Sequence, residues 1–374
     1  MDGRRSAGGS LRGMPEIVAS AGLVEFLRSL GAADGQIEQA QRDCTLVQLA
    51  TDLVLARDAS LSAAAIARRT GWSAEDVVAL WRTLGVAVPD ADAAMFSERD
   101  AEVSELALQF TDIGISNREL FRILGSSLAR VAEAAVALYV QTIEPAMDAP
   151  DVDEVTWAEH VAHTAAKALQ MGDAMGTIFA HHLRDAIDRQ RRAQAEVADP
   201  TLFRLAVGFV DLVGFTPLSQ HAEPSQLLAL IGGFEARAFE VASAHGGRII
   251  KHIGDEVMFV ALDADAGCAI AHDLTTAHAE GIEPRGGVVF GDVITRHGDY
   301  YGPVVNLASR LAELAIPGEV LVDAATAAAG AHGFAFRPAG HRLLKGFDRP
   351  VEVYSLDQGA PAPAGASGDG PAAT

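Results

Sequence analysis

Phe209-Val-Asp-Leu-Val-Gly-Phe-Thr216 is the stretch that decides the fold of the second half of this chain. It closes an apolar run beginning at Phe203 that reads as a β-strand, Phe203–Val213, with Asp211 near its end. A carboxylate there is costly unless it meets a cation or hydrogen-bond donors. Val213, Gly214, Phe215 and Thr216 then lead into a predicted helix, with Thr216 as N-cap and Pro217 at the first helical position. The free N–H groups of a helix start favour phosphate, so a metal-seeking carboxylate stands beside a phosphate-binding turn. An aspartate that caps a loop is the plainer reading of this segment by itself.

Three further segments work outward from it. Lys251-His-Ile-Gly-Asp-Glu-Val-Met-Phe259 joins two predicted strands, Gly247–Ile253 and Val257–Leu262, and presents Asp255 at a hairpin tip. Beside Asp211, Asp255 would allow two hard, oxygen-seeking cations to be shared with a triphosphate. An ordinary hairpin remains the alternative, although Asp-Gly rather than Gly-Asp is the order that favours a tight turn. In Asp299-Tyr-Tyr-Gly-Pro-Val-Val-Asn306-Leu-Ala-Ser-Arg310, Asn306 and Arg310 are four apart and share one helix face. An amide and a guanidinium aimed the same way suit a ribose and a charged phosphorus centre, and a solvated helix face is the other reading. Lys345, in Leu343-Leu-Lys-Gly-Phe347, is a candidate phosphate contact or a surface lysine.

The remaining pattern gives a helix over 264–280, a strand over 285–290 and a helix over 304–315. Short strands follow near Val320, over 334–343 and over 351–354. Strand–helix–strand–strand–helix–strand is the ferredoxin-like α+β order.

In their order and spacing these four segments resemble the class III adenylyl and guanylyl cyclases, from about Phe203 to Leu356. The resemblance implies that Asp211 and Asp255 are metal ligands for two divalent cations, Mg2+ or Mn2+. It implies that Lys251 and Asp299 select the purine, that Asn306 and Arg310 stabilise the transition state, and that Lys345 contacts the substrate. A lysine donor and a carboxylate acceptor complement N1 and N6 of adenine, whereas guanine reverses both polarities, so ATP is the expected substrate. In this family one protomer supplies the metals and the other the selectors and the transition-state pair, which implies a homodimer. A diguanylate cyclase shares the fold and a similar hairpin, but needs a glycine where Ile253 stands. A helix-turn-helix regulator with a nucleotide-sensing domain is the non-enzymatic alternative.

A chain of 374 residues suggests two domains, and 49% apolar residues supply a core for each. A formal net charge of -21 disfavours binding a phosphate backbone, but not a nucleotide carried with a cation. Cys44 and Cys268 are the only cysteines and make no disulfide framework, which fits a cytoplasmic protein. No uninterrupted apolar run, Ala134–Val140 included, reaches the length of a membrane span, so none is expected.

Residues 1–13 read as a disordered N-terminus and 14–198 as an all-α regulatory domain ending in a linker helix over 172–198, stopped by Asp199-Pro200. Residues 199–357 form the α+β catalytic domain, and 358–374 read as a disordered tail. Helical spacing at Ile37/Ala40/Cys44/Val47 and Ala158/Val161/Ala165/Leu169 marks the first half. Leu61–Trp81 resembles a helix-turn-helix with Arg68, Arg69 and Arg82 nearby, but the acidic chain argues against DNA. The layout also resembles actinobacterial cyclases with an N-terminal domain that inhibits catalysis and responds to acid. His160, His163, His181 and His182 are the candidate acid sensors.

Overall fold

The computed structural model describes residues 20–56, 58–112, 117–147, 152–194, 199, 202–220, 222–276, 283–330 and 332–357. The expected disordered ends, 1–13 and 358–374, lie outside these residues, as do Pro200 of the expected helix stop and 195–198 of the expected linker. The chain divides into two units, Met1–Ala180 and His181–Thr374.

The first unit is helical. It contains α1 (Ala21–Ser29), α2 (Asp34–Arg42), α3 (Leu46–Leu55), α4 (Ala63–Thr70), α5 (Ala74–Thr83), α6 (Glu98–Asp112), α7 (Asn117–Thr142) and α8 (Glu144–Met147). The 41-residue α9 (Glu154–Gln194) continues into the second unit. Ile37 and Val47 therefore belong to two helices. Cys44 lies between them at φ 55, and the Thr45 N–H closes back on the Ala40 carbonyl at 2.8 Å. The expected linker is likewise corrected, because α9 absorbs the helix predicted around Ala158 and begins well before Gly172. Gly172 and Gly176 are tolerated inside it at about 1 kcal/mol each.

The helix-turn-helix is present in outline. Ser62 caps α4 through the Ala65 N–H at 3.1 Å, and Gly71 ends it at φ 77, a conformation that favours glycine. Two of its arginines are engaged internally. Arg69 pairs with Glu98 and Glu105, and Arg82 donates to the Val88 carbonyl at 3.1 Å.

Among the described residues one helical segment, Arg118–Thr142 of α7, is long and apolar enough to cross a membrane by length and composition alone, with a mean hydropathy of 1.5 over its most apolar window. Arg122, Arg130 and Glu133 interrupt it, so no uninterrupted apolar run revealed it. Leu120, Leu124, Leu128 and Val131 are exposed and recur at helical spacing along one stripe.

The second unit is built on β1 (Leu202–Val213), α10 (Phe215–Ser219), α11 (Pro224–Ala244), β2 (Arg248–Ile253), β3 (Glu256–Ala261), α12 (Ala264–Thr276) and β4 (Glu283–Arg296). It continues with β5 (Asp299–Tyr301), α13 (Pro303–Leu314), β6 (Val320–Asp323), α14 (Ala324–Ala329), β7 (Phe336–Arg342) and β8 (Val351–Leu356). The sheet order is β2-β3-β1-β4-β6-β8-β7, with β5 pairing on β4. Its first four strands are antiparallel in the ferredoxin-like order, and β6 adds to β4 in parallel.

The apolar run of β1 follows from its central place. Ala206 and Val210 face a core shared with α11 and α12, while Leu205, Val207 and Phe209 face a core shared with α13. Such two-sided burial gives a nearly continuous apolar strand rather than an alternating one. Two helices stand between β1 and β2 instead of the single one expected. Gly214 at φ 85 replaces Thr216 as N-cap of α10, and Pro224 restarts the chain as α11. The strand β5 and the helix α14 were not anticipated; three residues and six residues are too short for a periodic signal.

Helix α13 rests on β4 through a glycine. A Cβ at Gly287 would lie 2.4 Å from both the Ala308 carbonyl oxygen and the Ala312 backbone nitrogen. Neither atom can give way without moving the helix. Gly287→Ala is expected to destabilise the protein by about 1–3 kcal/mol through overpacking, read as a lower urea midpoint at unchanged slope.

Candidate active site

Asp211 lies inside β1, not in a loop, and the sheet sets its neighbours. It stands directly opposite Glu256 of β3 on one side and Arg285 of β4 on the other, so three ionisable residues share one stretch of sheet. Arg285 donates to Asp211 Oδ2 from Nη2 at 2.9 Å and Nε at 3.2 Å. Its Nη1 donates to the backbone carbonyls of Glu313 at 2.8 Å and Ala315 at 3.2 Å, at the end of α13.

Asp255 enters from the β2–β3 hairpin. Ile253 pairs with Glu256, leaving Gly254 and Asp255 as a two-residue turn. Gly254 takes φ 67, so the glycine-first order is what a hairpin with its positive φ at the first turn position requires. Burial pushes the Asp255 carboxyl up, with repulsion from Asp211 adding to it and Arg285 opposing it. Glu256 is pushed further, to about 7, by burial first and then by repulsion from Asp211, Glu313 and Asp255. The neighbourhood therefore holds more negative charge than its single arginine offsets.

Among the described residues no group of three or more His, Cys, Asp or Glu side chains is arranged to hold a metal by itself. That fits a Mg2+- or Mn2+-type ion, which is typically held by one or two carboxylates together with substrate phosphates. Asp211 and Asp255 are an all-oxygen donor pair in a region of uncompensated negative charge, so the residues suit such an ion.

Lys251 and Asp299 meet directly. The Lys251 ammonium donates to Asp299 Oδ2, and the Tyr300 N–H donates to Oδ1 at 2.9 Å. Local irregularities place both. Ile250 is an extra residue in β2, a bulge that re-aims the lysine after it. The turn His297-Gly298, at φ 57 and 79, folds β5 back on β4 and brings Asp299 forward.

Asn306 and Arg310 lie on α13, which begins at Pro303. Asn306 is exposed, and Arg310 is bound to Glu313 one turn on. Lys345 is exposed in a turn beyond β7 rather than at the strand end. Of the phosphate-binding stretch, Val213 ends β1, Gly214 is the left-handed cap, and Phe215 and Thr216 open the five-residue α10. The structure thus forms two groups within one chain, Asp211 with Asp255 and Lys251 with Asp299. Arg310 borders the first group through Glu313, and Lys345 joins neither. Arg285, Glu256 and Glu313 were missed. Only the pairing register shows that Arg285 faces Asp211, whereas Glu256 stood in plain view beside Asp255.

With this geometry in hand, known proteins are informative. Residues 9–187 match the family described as adenylate cyclase regulatory domain, and residues 199–358 match the adenylate and guanylate cyclase catalytic domain. An adenylate cyclase of Streptomyces coelicolor is 33% identical over 287 residues, covering 70% of this chain and 69% of the relative. The chain belongs to the class III adenylate cyclases. A pH-sensitive adenylate cyclase of Mycobacterium tuberculosis is 28% identical to this cyclase over 359 residues, covering 91% and 88% of the two chains. An uncharacterized protein of the same species is 33% identical over 353 residues, 90% of each chain.

The Glu256 carboxyl of the cyclase gives a pH test. Its ordinary value is 4.5 and its folded value about 7, so between them the folded state holds the proton that the unfolded state has lost. Stability should therefore fall as pH rises through that window in metal-free buffer. Glu256→Gln is expected to flatten the dependence and to add on the order of 1–3 kcal/mol at pH 8, measured by urea denaturation.

Proposed function

We propose that this cyclase converts ATP to 3′,5′-cyclic AMP and pyrophosphate at two composite sites of a homodimer. The observation that carries the reading is the Lys251–Asp299 pair, a donor and an acceptor already side by side in the polarity that adenine needs. Adenine N1 would accept from Lys251 and its N6 amine would donate to Asp299. Guanine would leave both half-buried groups facing their own kind, which a polar site rejects.

In the proposed reaction the 3′-oxygen attacks the α-phosphorus in line, the bond from phosphorus to the β-bridging oxygen breaks, and pyrophosphate leaves. Asp211 and Asp255 would hold up to two divalent cations, Mg2+ or Mn2+. Bound there, a cation supplies charge neutralisation of the triphosphate and eases deprotonation of the 3′-hydroxyl. Asn306 would orient the ribose, and Arg310 would neutralise charge developing at the α-phosphorus, exchanging Glu313 for phosphate oxygens. Gly214 and the start of α10, with Arg285 nearby, favour the phosphates, and Lys345 is a further candidate contact. The separation of the two groups within one chain supports a site completed by a second copy. So do the exposed apolar stripes of α7 and of α9, where Leu169, Ile178, Phe179, Leu183 and Ile187 face outward.

Mixing Asp211→Ala with Asn306→Ala protein should restore cyclic AMP synthesis from ATP, since one site of each mixed dimer is intact. Each variant alone should fall at least 100-fold. No recovery after confirmed subunit exchange, or equal turnover of GTP, would remove the shared-site or the adenine reading.

The N-terminal unit, a regulatory domain by family, is proposed to restrain the catalytic unit and to release it in acid. Of the candidate sensors, His181 and His182 are exposed on α9. His163 is exposed as well, while His160 Nε2 is enclosed without a partner and its ring lies 6.3 Å from that of Tyr139. A full-length variant with all four replaced by Gln is expected to lose acid activation while retaining activity at pH 8. An unchanged pH–activity profile would show that these histidines do not sense acid.

A further inference from the structure

Within the C-terminal unit, the last turns of α9 and the sheet enclose a cavity of about 240 Å3. Phe203 and Leu205 of β1, Val260 of β3 and Leu262 after it give it apolar walls. Two guanidinium groups line the same space, Arg189 from α9 and Arg248 from the first position of β2, opposite Val260.

Among the described residues no carboxylate is hydrogen-bonded to either arginine, although Asp185 lies near enough to act on Arg189. Arg248 Nη2 reaches only the Tyr300 hydroxyl, at 3.3 Å, and its Nε is enclosed without any acceptor. Among the described residues neither Arg189 nor Arg248 is in an ion pair. Burial, and then the charge of Arg248, hold the Arg189 guanidinium below its ordinary value, while Tyr300 and Asp185 only partly offset this. In a chain with 50 acidic and 29 basic residues carboxylate partners are abundant, yet among the described residues none forms an ion pair with Arg189 or Arg248. Partly buried like charges side by side are unfavourable unless an anion joins them.

We propose that this cavity is a binding site for a small organic monocarboxylate, whose oxygens bridge Arg189 and Arg248 while its apolar body packs on Phe203, Leu205, Val260 and Leu262. Guanidinium groups hold carboxylates through paired N–H donors, and the apolar walls distinguish such an acid from a fully hydrated inorganic anion. The volume equals about eight waters at about 30 Å3 each, room for one ring or a short chain. The cavity is also linked to the purine pair. Arg248 shares β2 with Lys251, and Tyr300 follows Asp299 on β5 and donates its N–H to that carboxylate. An acid that draws Arg248 and Tyr300 together steadies both strands, so it lowers the KM for ATP with little change in kcat; this last step alone rests on the role proposed for Lys251 and Asp299.

The test is calorimetric titration of full-length protein with sodium benzoate, without nucleotide, at fixed ionic strength set with chloride. Saturable binding of one benzoate per chain is expected, weakened at least tenfold in both Arg189→Gln and Arg248→Gln, with inorganic phosphate unable to compete. Arg189 is only half-buried and, among the described residues, is not hydrogen-bonded to the sheet, so that variant keeps the test valid should Arg248→Gln misfold. Absence of saturable benzoate binding, binding indifferent to Arg189→Gln, or equal competition by phosphate would overturn the proposal. Because the titration involves no turnover, it can fail while the catalytic reading stands, and a benzoate-independent KM beside intact binding would refute the link alone.

Discussion

A carboxylate near the end of a strand buried on both faces is the constraint on which the catalytic unit turns. Asp211 cannot sit between two apolar cores without a countercharge, and the sheet brings Arg285 to it directly across from β4. The arginine is held in turn by two carbonyls at the end of α13, so that helix is tied to the unit's central strand by the same group. Asp255 and Glu256 then bring more negative charge than one guanidinium can balance. Under the proposed function that imbalance, and not a closed cage of ligands, is what would attract a divalent cation.

The ferredoxin-like core was legible because its strands and helices change period where turn residues intervene, and because β1 is too continuously apolar to be an edge. The site residues were legible as segments, but their partners were not. Arg285 and Asp211 are 74 positions apart and meet only through strand register, which no local pattern encodes. Glu313 gained its meaning only when its carboxylate was found on Arg310 and its carbonyl on Arg285. Elsewhere local signals misled. The linker helix was expected to begin at Gly172 where α9 is already running from Glu154, and helical spacing across Cys44 concealed a left-handed residue between two helices.

Under the proposed function the Lys251–Asp299 contact would make selection of the base an exchange. With no base present, the two groups satisfy each other, so an entering purine has to replace a charge-assisted bond rather than fill two open valences. Adenine returns a partner to each; a base with the opposite polarity returns none and leaves a separated pair. Discrimination under the proposed function would thus act when the pair opens.

The seat of α13 on Gly287 has a consequence for how finely that helix can be aimed. Most helices meet a sheet through side chains, whose rotamers absorb small misfits like a compliant layer. Here backbone meets backbone at Ala308 and Ala312, on the same turns that carry Asn306 and Arg310, and the compliant layer is absent at that point. A shift of α13 toward β4 there has to be met by moving whole elements.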